Sequence, residues 1–278
     1  PTMPTLDIFQ VDAFAKELFQ GNSAAVVPLT EMLDADLMQK IAMANALPET
    51  AFIVPLADPG HFTIRWFTPN KEIALCGHAT LAAAFIIFTE LKCEEDLLNL
   101  HSTLGAGVLQ VRRGESGLTM FFPSEPGTPA PEADAVQVRQ ALGLESATAT
   151  VLACPRNYLV ILPDEHALLS LKPILDKVSA LAPEHMVGVI ATAKCESGAD
   201  VVSRYFAPRY GVPEDPVTGS AHCSLVPYWL QTLSKDSVQC KQVSVTHGRT
   251  GYLDCSLVGD KVTMTGQSIL YLRGTIFV

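Results

Sequence analysis

The chain has 278 residues, of which 48% are hydrophobic, and its formal net charge is −10 at pH 7. This composition supports a sizeable core and excludes extended disorder, and an acidic balance without a Lys/Arg run argues against nucleic acid or an anionic membrane as partners. No apolar run reaches the roughly 18 residues of a membrane span, and no basic segment leads into an apolar stretch, so we predict a cytoplasmic protein. Seven irregularly spaced cysteines indicate free thiols in a reducing compartment.

Short runs of β-branched and aromatic residues, bounded by Gly, Pro or Asp, predict strands along most of the chain. They include "AAVVPL", "AFIVPL", "FTIRWF", "GVLQVRR" and "LTMFFP" in the first half, and "NYLVIL", "VGVIATA", "VVSRYF", "VSVTH" and "KVTMTG" in the second. Helices are fewer. The spacing of Leu33, Leu37 and Ile41 predicts a helix that begins after a cap at Asp34, and a second is expected over residues 133–142.

Two other helices, expected over residues 79–88 and 220–230, lack a polar face. A helix that is apolar on all sides must be buried on all sides. Because strands dominate each half of the chain, the economical arrangement wraps a curved sheet around each of these helices. The sequence therefore predicts an α+β fold with a central buried helix in each half.

A short motif occurs twice, as "RWFTP" at residues 65–69 and as "RYFAP" at residues 204–208. Each copy precedes a Gly-containing turn and one of the two apolar helices. This repetition predicts a duplication, with two similar domains. The stretch over residues 122–134 is rich in Pro, Gly and acidic residues, so it is the best candidate for the linker between them.

The starts of the two apolar helices are candidate anion sites. One contains Gly77, and the other contains Thr218, Gly219 and Ser220. A helix N-terminus has unpaired backbone N–H groups and partial positive charge, and glycine lets a ligand approach closely. Two such termini facing one cleft would bind a carboxylate. The alternative is that small residues simply begin a tightly packed helix.

Four side chains near these starts are candidates for catalysis. Glu49 and His78 suit proton transfer, Asp215 precedes the second helix, and Cys76 could be a thiolate at the first. Each also has an ordinary structural explanation: an exposed loop carboxylate, a satisfied core histidine, a turn aspartate and a small buried thiol. Metal, dinucleotide and nucleotide motifs are absent from the sequence, so we predict neither metal nor cofactor.

Five segments in sequence order resemble the PhzF family of phenazine biosynthesis-like proteins, including its vertebrate branch. They are "GNSAAVV", "LPETAFIV", "RWFTP", "LCGHATLA" and "EDPVTGSAH". The resemblance implies the diaminopimelate-epimerase fold: two pseudo-symmetric domains, each a β-barrel-like sheet around a central helix, with the site between them. We expect a first domain over residues 1–118, a second over 119–265, and a last strand over 266–278 that returns to the first.

The resemblance also implies an isomerase that shifts a proton without a cofactor on a small carboxylate-bearing substrate. It assigns general acid/base catalysis to Glu49, with His78 and Asp215 around the substrate. The alternatives are a thiol-dependent epimerase that uses Cys76, and a binding protein without catalysis. The usual family ending is altered over residues 246–257, which puts any ligand contact of that segment in doubt. A homodimer is a further expectation.

The remaining binding contacts are also implied by the resemblance. The backbone and hydroxyl groups expected to hold the substrate belong to Gly77, Thr218, Gly219 and Ser220.

Overall fold

A computed structural model describes residues 4–144, 149–196 and 198–278 of the chain. Its contacts divide the chain into two compact units. The first comprises Pro1–Phe121 and Thr265–Val278, and the second comprises Phe122–Met264. The fold is mixed α and β, rich in strands and with few helices.

In the first part of the chain, eight strands and two helices are described. They are β1 (Thr5–Ala13), β2 (Asn22–Pro28), α1 (Ala35–Asn45), β3 (Glu49–Pro55), β4 (His61–Phe67), β5 (Glu72–Ile73), α2 (Gly77–Thr89), β6 (Leu97–Ser102), β7 (Val108–Gly114) and β8 (Gly117–Pro123).

In the rest of the chain, ten strands, four α-helices and a short 3-10 turn are described. They are β9 (Thr128–Pro129), α3 (Glu132–Ala141), β10 (Thr150–Ala153), β11 (Asn157–Ile161), α4 (Glu165–Leu169), α5 (Leu175–Ser179), β12 (Gly188–Lys194), β13 (Val201–Ala207), the turn Pro208–Tyr210, β14 (Val212–Asp215), α6 (Gly219–Leu233), β15 (Ser237–Ser244), β16 (Arg249–Val258), β17 (Lys261–Gly266) and β18 (Ser268–Phe277).

In the first unit the strands pair in the order β18, β1, β2, β3, β4, β6, β7 and β8. The pairs β2–β3 and β4–β6 are parallel and the others are antiparallel, while β5 pairs with the end of β4. A parallel pair needs a crossover, and here α1 and α2 lie in the two crossovers. Helix α2 packs against β1, β2, β3 and β18.

The second unit repeats this pairing scheme. Its strands pair in the order β9, β10, β11, β12, β13, β15 and β16, with parallel pairs at β11–β12 and β13–β15. The short strand β14 pairs with β13 as β5 pairs with β4. Helix α6 lies in the second crossover and packs against β11, β12, β15 and β16. Each unit therefore has the same succession of paired strands and one apolar helix that packs against four of them.

The arginine of the repeated motif has the same structural role in both units. Arg65 Nε donates to Glu72 of β5 at 2.7 Å, and its guanidinium lies 5.3 Å from the centre of the Phe67 ring. Arg204 Nε donates to Glu214 of β14 at 2.7 Å, and the Phe206 ring centre lies 5.0 Å away. The repeated residues therefore attach a two- to four-residue strand to the sheet just before each buried helix.

The expected helices are present with small shifts of their ends. Asp34 caps α1 by accepting from the backbone N–H of Asp36 at 2.8 Å. Most residues of α2 and α6 are buried, as their apolar sequences predict. Several elements were not predicted from the sequence, namely β5, β6, β9, β10, β14, β16, α4 and α5. The predicted strand "VSVTH" lies mostly in the turn after β15, because only its first two residues belong to Ser237–Ser244. The expected linker over residues 122–134 comprises the end of β8, the strand β9 and the start of α3.

The chain passes from the first unit to the second within β8 and returns within β17. The last strand, β18, pairs with β1 along its length, from Thr5 opposite Phe277 to Ala13 opposite Ser268. Among the helices of the described residues, none combines the length and apolar character that a bilayer span requires.

Candidate active site

A carboxylate and an imidazole meet in the first unit. Glu49 is the first residue of β3, and His78 is the second residue of α2. Glu49 Oε2 lies 2.9 Å from His78 Nε2, and the side chains are 13% and 6% exposed. The two atoms are at ion-pair distance, although their approach does not meet the angles of a hydrogen bond. This is a partly desolvated acid/base pair.

The other edge of the His78 ring faces a thiol and an amide. Cys76 Sγ lies 3.4 Å from His78 Nδ1, and Asn22 Nδ2 lies 3.3 Å from the same nitrogen. Asn22 is the first residue of β2 and Cys76 is the N-cap residue of α2, so three elements hold the ring. The orientation of His78 toward Glu49 is therefore fixed by packing and by polar contacts on both nitrogens.

Ligand atoms of Glu49, Cys76 and His78 lie within 4.8 Å of one another, and this is the group that could hold a metal in the described part of the chain. His78 presents Nδ1 to Cys76 and Nε2 to Glu49. One imidazole cannot direct both nitrogens at the same ion, so the ring would have to turn before all three residues could coordinate it. The arrangement is better suited to holding a proton.

The charges in this group are set by mutual interaction. Burial disfavours a charged ring, but the negative charges at Cys76 and Glu49 outweigh it and raise the pKa of His78 well above 6.5. Burial and the Glu49 charge raise the pKa of the Cys76 thiol, against the opposing effect of His78. The pKa directions describe a Cys76–His78 pair that shares its protons, in which the Glu49 carboxylate is the negative group that favours a protonated ring while Cys76 is a neutral thiol.

The N-termini of α2 and α6 are not blocked by their own N-cap side chains. The N-cap residues, Cys76 and Thr218, are extended and make no capping hydrogen bond. Instead, their carbonyls accept from side chains one turn along: Thr80 Oγ1 donates to Cys76 O at 2.5 Å, and His222 Nδ1 lies 2.8 Å from Thr218 O. Neither N-cap side chain makes a capping hydrogen bond, although the backbone N–H of Ala79 faces the Cys76 sulfur and acts to lower the pKa of its thiol.

In the second unit Asp215 is fixed by a network around Thr218. Thr218 Oγ1 donates to Asp215 Oδ2 at 2.5 Å. Gln242 of β15, which is fully buried, accepts from the backbone N–H of Thr218 at 2.9 Å. Its Nε2 donates to Asp215 O and to Thr218 Oγ1, both at 3.1 Å. Gln242 therefore ties the turn before α6 to the sheet.

The family follows from sequence comparison. A profile of the phenazine biosynthesis-like protein family matches residues 11–274. The chain belongs to this family. It is 43% identical over 271 residues to a Pseudomonas aeruginosa protein named as an uncharacterised isomerase, with 98% of each chain covered. It is also 39% identical over 294 residues to the phenazine biosynthesis-like domain-containing protein of Bos taurus, which covers 98% of this chain and 99% of the relative.

Solved structures give the same result. A crystal structure of a PhzF-family phenazine biosynthesis protein from Enterococcus faecalis superposes with a TM-score of 0.88 at 36% identity, covering 99% of this chain and 100% of that one. The predicted membership of the PhzF family is confirmed, and so is the prediction that the protein is an isomerase.

Within each unit the structure brings together some of the residues expected in a PhzF-like site. Glu49, His78 and Cys76 form one group in the first unit, while Asp215 and Thr218 form another in the second. Gly77 begins α2, and α6 begins with Gly219 and Ser220.

Two site residues were missed by the sequence analysis. Asn22 lies within the quoted "GNSAAVV" segment, but nothing local indicated its contact with a histidine 56 positions away. Gln242 lies 24 positions from Thr218, and its strand sequence gave no indication of a contact with that residue. The altered segment over residues 246–257 forms the turn after β15 and most of β16, and Thr246 N donates to Glu214 at 2.9 Å.

Proposed function

We propose that the protein catalyses a cofactor-independent proton shift on a small carboxylate-bearing metabolite, with Glu49 as the general acid/base. The observation that carries the proposal is the Glu49 carboxylate, 13% exposed and 2.9 Å from His78 Nε2. A positioned carboxylate that is shielded from bulk water can take a proton from carbon and return it to another atom.

Removal of a C–H proton next to a conjugated carbonyl leaves negative charge that must be stabilised. The His78 imidazolium and the N-terminus of α2, which begins at Gly77, both provide positive electrostatic potential beside Glu49. A carboxylate-bearing substrate would interact favourably with the same potential. His78 therefore serves to orient the substrate or to share the proton.

We extend the proposal to the second unit, where Asp215, Thr218, Gly219 and Ser220 would contribute further substrate contacts. The support is the fixed Asp215 carboxylate and the uncapped start of α6. That the two groups of residues meet in a cleft between two pseudo-symmetric domains stays a prediction, as do a homodimer and a cytoplasmic location. A ligand-bound crystal structure and the mass of the protein in solution would test the first two.

A thiol-based epimerisation is the second candidate, because Cys76 Sγ lies 3.4 Å from the His78 ring. The raised pKa of the Cys76 thiol argues against it, since the thiolate is the reactive form. The contact with His78 is therefore better explained as positioning of the ring. A binding protein without catalysis is the third candidate.

The test is a screen of small carboxylic acids in deuterated water, read by mass spectrometry for solvent deuterium in the product. With a substrate in hand, Glu49→Gln should lower turnover about 100-fold or more while ligand still binds, given the usual size of general acid–base effects. Cys76→Ala should retain most of the activity. Glu72→Gln is a matched control, because Glu72 is a partly buried glutamate in the same unit that pairs with Arg65.

Three results would contradict the proposal. Near-normal turnover by Glu49→Gln would remove the carboxylate from the chemistry. Loss of activity in Cys76→Ala with a functional Glu49→Gln would favour the thiol mechanism. A screen without deuterium uptake on any carboxylate that binds would favour the non-catalytic alternative.

A further inference from the structure

Trp66, on β4, has a buried indole N–H without an acceptor. The residue is 1% exposed, and its Nε1 has no hydrogen-bond partner among residues 4–144, 149–196 and 198–278. A buried donor left unpaired is costly, and such groups are rare in native proteins. Other buried side-chain atoms of this unit that lack a hydrogen bond include Glu49 Oε2, His78 Nε2 and Ser268 Oγ.

The strand register places Trp66 on the Glu49 face of the sheet. Trp66 pairs directly with Ala51 across the antiparallel strands β3 and β4, so their side chains project to the same face. Ala51 and Glu49 are two positions apart on one strand and also share a face. Trp66 is thus the diagonal cross-strand neighbour of Glu49, at a typical separation of about 7–8 Å.

Two other buried aromatic donors show how such a group is normally satisfied. Trp229, the other tryptophan of the chain, donates from Nε1 to Thr192 Oγ1 at 3.0 Å. Tyr205 occupies the position of Trp66 in the repeated motif, and its hydroxyl donates to Asn157 Oδ1 at 3.0 Å. Of these three donors, the one on the Glu49 face of the sheet lacks a protein acceptor among the described residues, so the two units differ on the face that carries the proposed site.

We infer that Trp66 Nε1 is a substrate-binding donor, which hydrogen-bonds an oxygen of the carboxylate-bearing ligand held beside Glu49. The inference rests on the proposed function. An indole N–H donates and cannot accept, so Trp66 selects a carboxylate, carbonyl or ether oxygen and rejects an ammonium group at that position. A site built to satisfy a buried donor discriminates against analogues that lack the acceptor.

The experiment uses the two tryptophans as probe and internal reference. In a ¹⁵N-labelled sample each indole N–H gives its own signal, and Trp66→Phe and Trp229→Phe assign them. Acetate, crotonate and benzoate are titrated to millimolar concentration, with benzyl alcohol as an uncharged control. We expect the Trp66 signal to shift with the carboxylate that binds, together with the Gly77 and His78 amides, while the Trp229 signal stays in place.

Substitution separates a binding role from a structural one. Trp66→Phe keeps the aromatic ring and removes the N–H, so it should weaken binding of the active carboxylate about 5- to 10-fold, the range of one hydrogen bond. Its melting temperature should fall less than that of Trp229→Phe, since both changes remove the same volume from a buried site but Trp66 has no paired donor to lose. Trp229→Phe loses its bond to Thr192, so it should melt at a lower temperature and bind the carboxylate as before.

The outcomes distinguish this inference from the proposed function. If a carboxylate shifts the Gly77 and His78 amides but leaves the Trp66 indole in place, the role of Trp66 is wrong and the proposed site stands. The role of Trp66 is equally wrong if Trp66→Phe binds normally and lowers the melting temperature as Trp229→Phe does. If no carboxylate perturbs either the amides or the indole, the proposed site and the role of Trp66 fall together.

Discussion

The start of α2 reads Cys-Gly-His-Ala-Thr, and the start of α6 reads Thr-Gly-Ser-Ala-His. Both follow a short strand attached by an arginine of the repeated motif, and in both the N-cap carbonyl accepts from a side chain four residues on. The histidine, however, occupies different positions: the second of α2 as His78 and the fourth of α6 as His222. The same backbone arrangement therefore places the histidine differently in the two units.

The pKa values of His78 and His222 are shifted in opposite directions. His78 faces Glu49, and the negative groups around it raise its pKa despite burial. His222 is fully buried and contacts a neutral carbonyl, so burial lowers its pKa to about 4. Depth of burial alone therefore does not decide the charge of a histidine, because both rings are buried and only one has a carboxylate partner.

The largest effect is expected from removing the arginine of each ion pair, because the two pairs differ in burial. Arg204→Met removes the partner of Glu214, whose side chain is 2% exposed, and should lower the free energy of unfolding by about 3–5 kcal/mol. Arg65→Met should cost about 1 kcal/mol or less, because Arg65 and Glu72 are 17% and 18% exposed and water screens their attraction. Urea denaturation of both variants measures the difference. Equal losses would show that the two attachments are energetically alike.

The second prediction concerns acid stability. A histidine with a lowered pKa takes its proton more readily when unfolded, so the free energy of unfolding should fall as the pH drops from about 6.5 towards 4. For His222 alone the loss is about 3 kcal/mol. His222→Gln should flatten the pH profile over that range while retaining a donor for Thr218 O. An unchanged profile would contradict the neutral state of His222.

His78 should make the free energy of unfolding depend on pH in the opposite direction. Its raised pKa means that the folded protein holds the proton more tightly, so this stabilisation is complete below about pH 6.5 and is lost as the pH rises through the raised pKa. Glu49→Gln removes part of the cause and should reduce this alkaline loss. Thermal unfolding between pH 6 and 10 checks it, with Glu72→Gln as the control that should behave as the parent protein.

The smallest effect is expected at the N-cap carbonyl of α2. Thr80→Val keeps the shape of the side chain and removes its hydrogen bond to Cys76 O, which should cost about 1 kcal/mol. Thr89→Val is the matched control, because Thr89 makes the same kind of bond to Phe85 O at the far end of the helix. If Thr80→Val costs no more than Thr89→Val, the bond at the site end has no special importance.

The local features of the fold could be predicted from the sequence. The absence of a polar face on α2 and α6 predicted their burial, and the repeated Arg-aromatic-Phe motif predicted that the two halves share a pattern. The family resemblance assigned both Glu49 and His78 to the site, but their direct contact was not predicted, because residues 49 and 78 lie far apart in the chain. These features are readable because helix periodicity and motif spacing are local properties.

The features that were missed depend on tertiary contacts. Glu72 and Glu214 lie in short strands whose role appears only when the arginines reach them. Gln242 has the sequence context of an ordinary strand residue, and only the fold shows its contact with the turn before α6. The charge of His78 and the unpaired donor of Trp66 depend on which groups surround a buried atom. No propensity or spacing in the sequence reports those surroundings.

The central claim is that the first unit holds a charged histidine against Glu49, whereas the second holds a neutral one. A pH titration of the histidine ring signals by NMR tests this most directly, with His78→Asn and His222→Gln to assign the two rings. We predict that His78 remains protonated well above pH 6.5 and that its pKa falls in Glu49→Gln, while His222 stays neutral until about pH 4. A His78 ring that is neutral at pH 6.5, or that titrates identically with and without the Glu49 carboxylate, would contradict it.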